Sequence, residues 1–361
     1  MSTLADAEPF APLPADARRD ADDPHGPQIV MPLPAATALA GGAWCPLPDY
    51  GLLSVGGADR AAFLQAQLTN DVEAMDAGGA RWNGYCSPKG RLMSVFLCWR
   101  DAEAILLTVS RAQAESLRKR LAMFVLRSKA VIADRSAGRL AVGLLAADPS
   151  PTLAALGLDL PAAPMSVAHA GGLTAVRLAP VPADDGTALE RVMLWAEAAP
   201  AGCLPPAIAT VLANLTPAPT AAWRWAEIRS AVPRVFPATV EHFVPQMVNL
   251  ELVGGVSFTK GCYPGQEVVA RSQYLGKMKR RMFVGHGDVA LAPGTDVMTA
   301  AAAGQVGEIV MSAPSPAGGF DSLFECQTDA AEEPLQAGGA PLAVLPLPYE
   351  IPAAAPVRRK L

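Results

Sequence analysis

The run Lys260-Gly261-Cys262-Tyr263-Pro264-Gly265-Gln266-Glu267 places a thiol, a cation, a carboxylate and two glycines within eight positions. Gly261 is expected to make a tight turn with φ > 0, Pro264 suits the first turn of a helix, and Glu267 falls where a helix dipole favours an anion. Cys262 then lies in a loop directly ahead of a helix N-terminus, with Lys260 two residues before it and Arg271 following. Both features lower a thiol's pKa and favour the thiolate, the form that attacks electrophiles and binds metals. Against this stands the common fate of a free cysteine, a small buried hydrophobe. On residue physics alone the two readings are level, and the first requires a cavity beside the sulfur.

The elements that position this segment can be read from patterning. Val256 to Phe258 is expected as a brief strand ahead of it. Upstream, Leu52 to Val55 is a short apolar strand, and a helix follows with Asp59 as N-cap and Phe63, Leu64, Gln67 and Leu68 on one face. Strands are expected at Arg91 to Trp99 and Ala104 to Val109. Ser110 to Arg127 is the clearest helix, with Ser110 and Gln113 as a capping box and Leu117, Leu121 and Phe124 at helical spacing. Lys129 to Ala133 reads as a further strand. The order β-α-β-β-α-β is the ferredoxin-like arrangement. A looser echo runs from Leu140 to Leu215, and from about Met282 short strands broken by Pro-Gly and Gly-Gly turns suggest a small antiparallel barrel. The expected division is a disordered tail at 1–42, too poor in contiguous apolar surface to order. It is followed by α/β domains at 43–137 and 138–279 and a barrel at 280–361.

Composition narrows the function classes. Of the 361 residues half are hydrophobic, and the net charge of −5 disfavours a generic basic surface for nucleic acid. The strip Lys277-Met278-Lys279-Arg280-Arg281 leaves direct RNA contact open, though a charge run is more often a solvated face. No signal peptide or membrane span is expected. The six cysteines lack the spacing of a disulfide scaffold or a self-contained metal site, which suits a reduced, cytoplasmic chain.

Lys260 to Arg271 resembles the signature K-G-C-Y-x-G-Q-E of the YgfZ family, folate-binding proteins related to the glycine-cleavage aminomethyltransferase (T-protein). Supporting matches are Gly57-Ala58-Asp59, Phe63 to Val72, Cys86-Ser87-Pro88-Lys89-Gly90-Arg91 and Pro245 to Leu250, and the similarity runs from about Pro46 to Tyr349. The resemblance implies an α+β fold: two ferredoxin-like α/β domains and a C-terminal antiparallel β-barrel around a central channel that binds tetrahydrofolate. It implies a role in assembly or repair of iron–sulfur enzymes, and through them in tRNA modification by methylthiolation. Iron–sulfur client proteins or tRNA-modifying enzymes are the implied partners. Cys262 and Lys260 become the candidate catalytic residues. Tyr50 and Trp223, at the family's two aromatic folate contacts, join Gly261, Tyr263, Gly265, Gln266, Glu267 and Arg271 as candidate cofactor contacts. Tyr50 stands where the family carries tryptophan, and Trp223 could instead be helix core with Trp225 as the partner. Asp71 and Lys89 are divided between function and turn structure, and Cys86 could approach Cys262. The alternative is a folate-dependent aminomethyltransferase. T-proteins carry an Asp-x-Ser-His run where this chain has Asp49-Tyr50-Gly51-Leu52, which favours the accessory factor over the enzyme.

Overall fold

The computed structural model describes residues 8–182, 188–274, 278–299 and 304–352. Its first finding is a correction. The described part of the expected tail, from residue 8 on, is folded onto the rest of the chain. Strands β1 (Arg18–Asp20) and β2 (Gln28–Val30) pair antiparallel, helix α1 spans Ala36–Ala40, and β3 spans Ala43–Pro46. Ala17, Ile29 and Met31 are buried, and the Ile29 amide donates to Thr220 Oγ1 at 2.9 Å. A few apolar anchors suffice because the body of the protein supplies the surface that covers them.

The first α/β layer comprises β4 (Tyr50–Gly56), α2 (Arg60–Gln65), β5 (Ala80–Cys86), β6 (Leu92–Arg100), β7 (Ala104–Ser110), α3 (Arg111–Ala122) and β8 (Val131–Asp134). The sheet order is β5-β6-β7-β4-β8 with all pairs antiparallel, so β8, β4, β7 and β6 follow the ferredoxin-like order and β5 is an added edge. Alternation divides each strand between two cores: Leu53 and Val55 face the helices with Phe63, Leu117 and Leu121, while Leu52 faces the opposite way with Trp99 and Leu106. Burial on both faces explains why these strands read as continuous apolar runs. The capping box expected at Ser110 does not form; Gln113 is buried, and its amide donates to Met93 O at 3.2 Å. Asp59 occupies the N-cap position of α2, but its carboxylate accepts from the Lys129 amide at 2.7 Å instead.

The second layer comprises β9 (Arg139–Ala146), α4 (Ser150–Ala155), β10 (Val167–Ala170), β11 (Leu173–Pro182), β12 (Ala188–Glu197), α5 (Pro206–Leu212) and β13 (Thr216–Pro217). Its order is β10-β11-β12-β9-β3-β13, so β3 is inserted into the second sheet ahead of the first domain's own strands. The two sheets pack back to back over one core, with Trp195 Nε1 donating to Thr108 Oγ1 at 3.0 Å. Helix α6 (Thr220–Arg229) is buried on most of its faces and leads to α7 (Gln266–Tyr274) through turns; the expected strand at Val256 to Phe258 is not one. A closed barrel completes the chain: β14 (Arg280–Gly287), β15 (Asp296–Thr299), β16 (Gln305–Pro314), β17 (Phe320–Gln327), β18 (Leu335–Ala337) and β19 (Ala340–Leu345), closing through β14 with β19. The architecture is thus mixed α/β with a closed six-strand antiparallel barrel.

Candidate functional site

Helix α2 is short, and the carbonyls at and beyond its C-terminal end need partners. Lys260 supplies one. Its Nζ donates to Leu68 O at 2.6 Å and to Gln65 O, and it lies 5.0 Å from the Tyr263 ring centroid. Burial draws this ammonium down to about 8, against the charges of Asp71 and Glu73, which favour it. Lys260 and Tyr263 are both buried, and between them Gly261 and Cys262 are exposed. The sulfur is therefore presented on a two-residue arch whose feet are anchored.

Three of the four supporting motifs pack against this arch, its helix or the loop that leads to it, while Gly57-Ala58-Asp59 meets Lys129 instead. Thr69 Oγ1 donates to Gly255 O at 2.7 Å, and Asn70 Nδ2 to Gly254 O at 2.6 Å. The turn at Ser87 to Gly90 meets the start of α7: a Cβ on Gly265 would stand 2.4 Å from Ser87 O and 2.6 Å from Gly90 Cα. Gln246 Nε2 donates to Val269 O at 2.8 Å, and Asn249 Nδ2 to Met282 O at 2.8 Å, joining α7 to the barrel. Positive φ is found at Gly265 (+81°) and not at Gly261, so the tight turn falls four residues later than expected. Gln266 opens α7, and Glu267 and Arg271 are exposed on it. Cys86 is buried, with its thiol pushed up to about 12 by burial. It lies near Tyr263, whose phenol burial and that thiol hold above its usual range. Asp71 caps a turn by accepting from the Ala74 amide at 3.0 Å. Lys89 is exposed in its turn.

Tyr50 and Trp223 lie apart from the arch, in a buried polar cluster. Tyr50 OH donates to Glu227; Arg234 Cζ stands 4.2 Å over the Tyr50 ring, and Arg234 Nη1 bonds Asp49 Oδ2 at 2.8 Å. Trp223 is only 1% exposed. One side of its ring meets Gly143, where a Cβ would stand 2.2 Å away, and Arg191 Cζ is 5.5 Å from its centroid. The ring has no open side for a pterin, so Trp223 is core in this structure. Trp225 bonds Asp321 Oδ2 at 2.9 Å. Of the basic strip, Arg280 pairs with Glu325 and Arg281 with Glu251; Lys277 lies outside the described residues.

A cavity of about 440 Å³ opens where the two sheets' ends meet the chain leaving the barrel, lined among others by Trp82, Met165, Pro180, Val232, Leu252 and Tyr349. None of residues 260–271 lines it, so the sulfur is not at its wall. Arg191 lies behind its wall: Nε donates to the O of the lining residue Ala179 at 2.9 Å, while Nη1 and Nη2 are buried with no hydrogen-bond partner among the described residues, and burial pushes the guanidinium down to about 10. No local pattern marks these residues as a site. The one available signal was a fully buried strand position, Arg191, directly ahead of the apolar run Val192-Met193-Leu194-Trp195. Among the described residues no group of three or more His, Cys, Asp or Glu could hold a metal, and no helix is long and apolar enough to cross a membrane.

Two back-to-back α/β layers and a closed barrel are the architecture of the glycine-cleavage aminomethyltransferase T. The crystal structure of that protein from Bartonella henselae matches with a TM-score of 0.66 over 92% of this chain and 94% of its own, at 15% identity. That likeness concerns the fold. No family model matches the chain. Among curated proteins, the tRNA-modifying protein YgfZ of Edwardsiella ictaluri is 33% identical over 246 residues, 66% of this chain and 69% of the relative. The protein of the same name from Vibrio vulnificus is 29% identical over 295 residues, 80% of this chain and 85% of the relative. The chain belongs to the YgfZ family.

Proposed function

We infer that the protein serves tRNA modification, the activity its curated relatives are named for, as a tetrahydrofolate-binding accessory factor that supports iron–sulfur cluster assembly or repair in the cytoplasm. The observation that carries this is the exposed Cys262 held between two buried anchors, Lys260 and Tyr263. A thiol so presented can reach another protein's cluster or disulfide without any opening of the fold.

The residues present fit a folate. The 440 Å³ cavity is in the size range of small-molecule sites and has aromatic walls in Trp82 and Tyr349. Arg191 is bonded to the lining residue Ala179 and holds two guanidinium nitrogens with no hydrogen-bond partner among the described residues behind that wall, donors that a pterin carbonyl or a carboxylate could use. Bound there, tetrahydrofolate supplies a reduced carrier of one-carbon units. An aminomethyltransferase is less well supported, because Asp49 is buried and paired with Arg234 and the stretch Asp49-Tyr50-Gly51-Leu52 lacks the Asp-x-Ser-His run.

The test is complementation of a deletion strain, scored by iron–sulfur enzyme activity and by tRNA methylthiolation. Wild type is expected to restore both and Cys262→Ser neither. Restoration by Cys262→Ser, or normal activities in the deletion itself, removes this reading.

A further inference from the structure

A second, smaller pocket of about 200 Å³ lies under the N-terminal segment, where Arg19, Arg111 and Arg139 converge with Tyr50 and Ser136. Among the described residues no aspartate or glutamate lines it. Arg139 pairs with Glu197 at 2.7 Å, but neither Arg19 nor Arg111 has an ion-pair partner among the described residues. Arg19 and Arg111 are exposed and uncompensated among the described residues, Arg139 is already paired, and a bound anion offsets the repulsion that remains. Two further features favour an anion. Arg111 is the first residue of α3, a 12-residue helix that begins with no side-chain cap, so the positive end of its dipole adds to the field. Gly138 (φ +75°) and Gly202 (φ +79°) line the pocket with nothing within 4 Å of where a Cβ would be, leaving the backbone open to close approach. Arg19, with Pro9, Phe10 and Ile29, comes from the segment that lies before the residues carrying the family resemblance, so that segment builds the pocket's outer wall.

We propose that the Arg19–Arg111–Arg139 pocket is a binding site for a compact oxyanion carrying two or more negative charges. Its volume is roughly seven times a water molecule's share of the liquid, enough for pyrophosphate or a short dicarboxylate. Arginine's planar fork suits either, since both present paired oxygens. The oxyanion has two possible sources: a free phosphate-type ion, or the carboxylates of a glutamyl tail. The second source rests on the folate reading, because a glutamyl tail reaches this chain only as part of a bound folate.

The test is thermal unfolding of the full chain, titrated at constant ionic strength with sodium pyrophosphate in one arm and γ-glutamylglutamate in the other. Sodium chloride is the reference. One probe is expected to raise Tm with saturation, and the tighter of the two identifies the source. Arg19→Gln and Arg111→Gln should each weaken that binding about tenfold or more. Arg18→Gln, an exposed arginine on the same strand that does not line the pocket, should leave it unchanged. Absence of saturation with both probes overturns the proposal, as does equal weakening by all three variants, which would mean general charge screening. Pyrophosphate binding does not depend on folate, so a protein that fails here can still pass the complementation test, and the reverse.

Discussion

Cys262 is exposed, Cys203 is half-buried, and Cys45, Cys86, Cys98 and Cys326 are buried. Burial pushes Cys86 up to about 12; burial and then the Glu325 charge do the same for Cys326. Thiolate is the reactive form, so reactivity should separate sharply. Brief iodoacetamide treatment of the native protein at pH 8 should modify Cys262 first, Cys203 more slowly, and the other four only in denaturant. Peptide mass spectrometry reads the order, and early modification of Cys86 would mean that the arch opens. Cys262→Ser removes no packed group, so its stability should lie within about 0.5 kcal/mol of wild type while complementation is lost. The glycine-flanked thiol was legible because its neighbours in sequence are its neighbours in space. The destination of Lys260 was not: its acceptors lie 195 and 192 positions away, and only the fold brings them together. Trp223 shows the opposite limit, since an aromatic residue at a binding position and one in a core have the same sequence pattern.

At the scale of elements, the turn between the arch and α7 is fixed by contact of two glycines. Gly265 combines φ of +81° with a carbonyl 2.4 Å from the site of any Cβ, whereas Gly261 has neither a positive φ nor an atom within 4 Å of that site. Gly265→Ala should therefore destabilise by about 2 kcal/mol or more, through backbone strain and displacement of the Ser87–Gly90 turn. Gly261→Ala should be close to neutral. Urea titrations of the two variants decide it, and equal costs would contradict the contact. Residue type announced that a glycine turn was needed; which glycine makes it depends on the turn opposite. The same division holds for the strands. β4, β6 and β7 stood out as buried apolar runs, but β5 and β10 did not, because Arg81, Asn83 and Gly84 or His169 interrupt their patterns. The capping box at Ser110 failed for a related reason: Gln113 found partners in β6, and tertiary contact overrode the local motif.

At the scale of the whole molecule, the N-terminal segment is a strap joining α6 to the barrel, and His25 is its tie. His25 Nδ1 lies 3.1 Å from Asp23 Oδ1, and its Nε2 accepts the Ser312 amide of β16 at 3.1 Å. That acceptor exists only while the ring is neutral. Burial pushes His25 down to about 4, with the Arg224 and Arg234 charges adding to it and Asp23 opposing. The sign follows from which state takes up the proton first. The unfolded chain protonates its histidine near 6.5, while the folded ring resists until about 4, so stability is full above 6.5 and declines as pH falls through that interval. The difference corresponds to ~3 kcal/mol when fully developed. Asp23 works in the same direction: burial opposes its ionisation, but the His25 hydrogen bond and the Arg224 charge hold its carboxyl below the usual range, so it too loses its contribution in acid. Urea titrations at pH 7 and pH 4.5 should therefore show wild type losing ~2–3 kcal/mol more than His25→Phe, whose ring fills space but does not titrate. Parallel losses in the two proteins would show that the strap is not tied through a neutral imidazole. A variant already loosened at pH 7, with a shallower decline than wild type below it, is the outcome that the Ser312 contact requires.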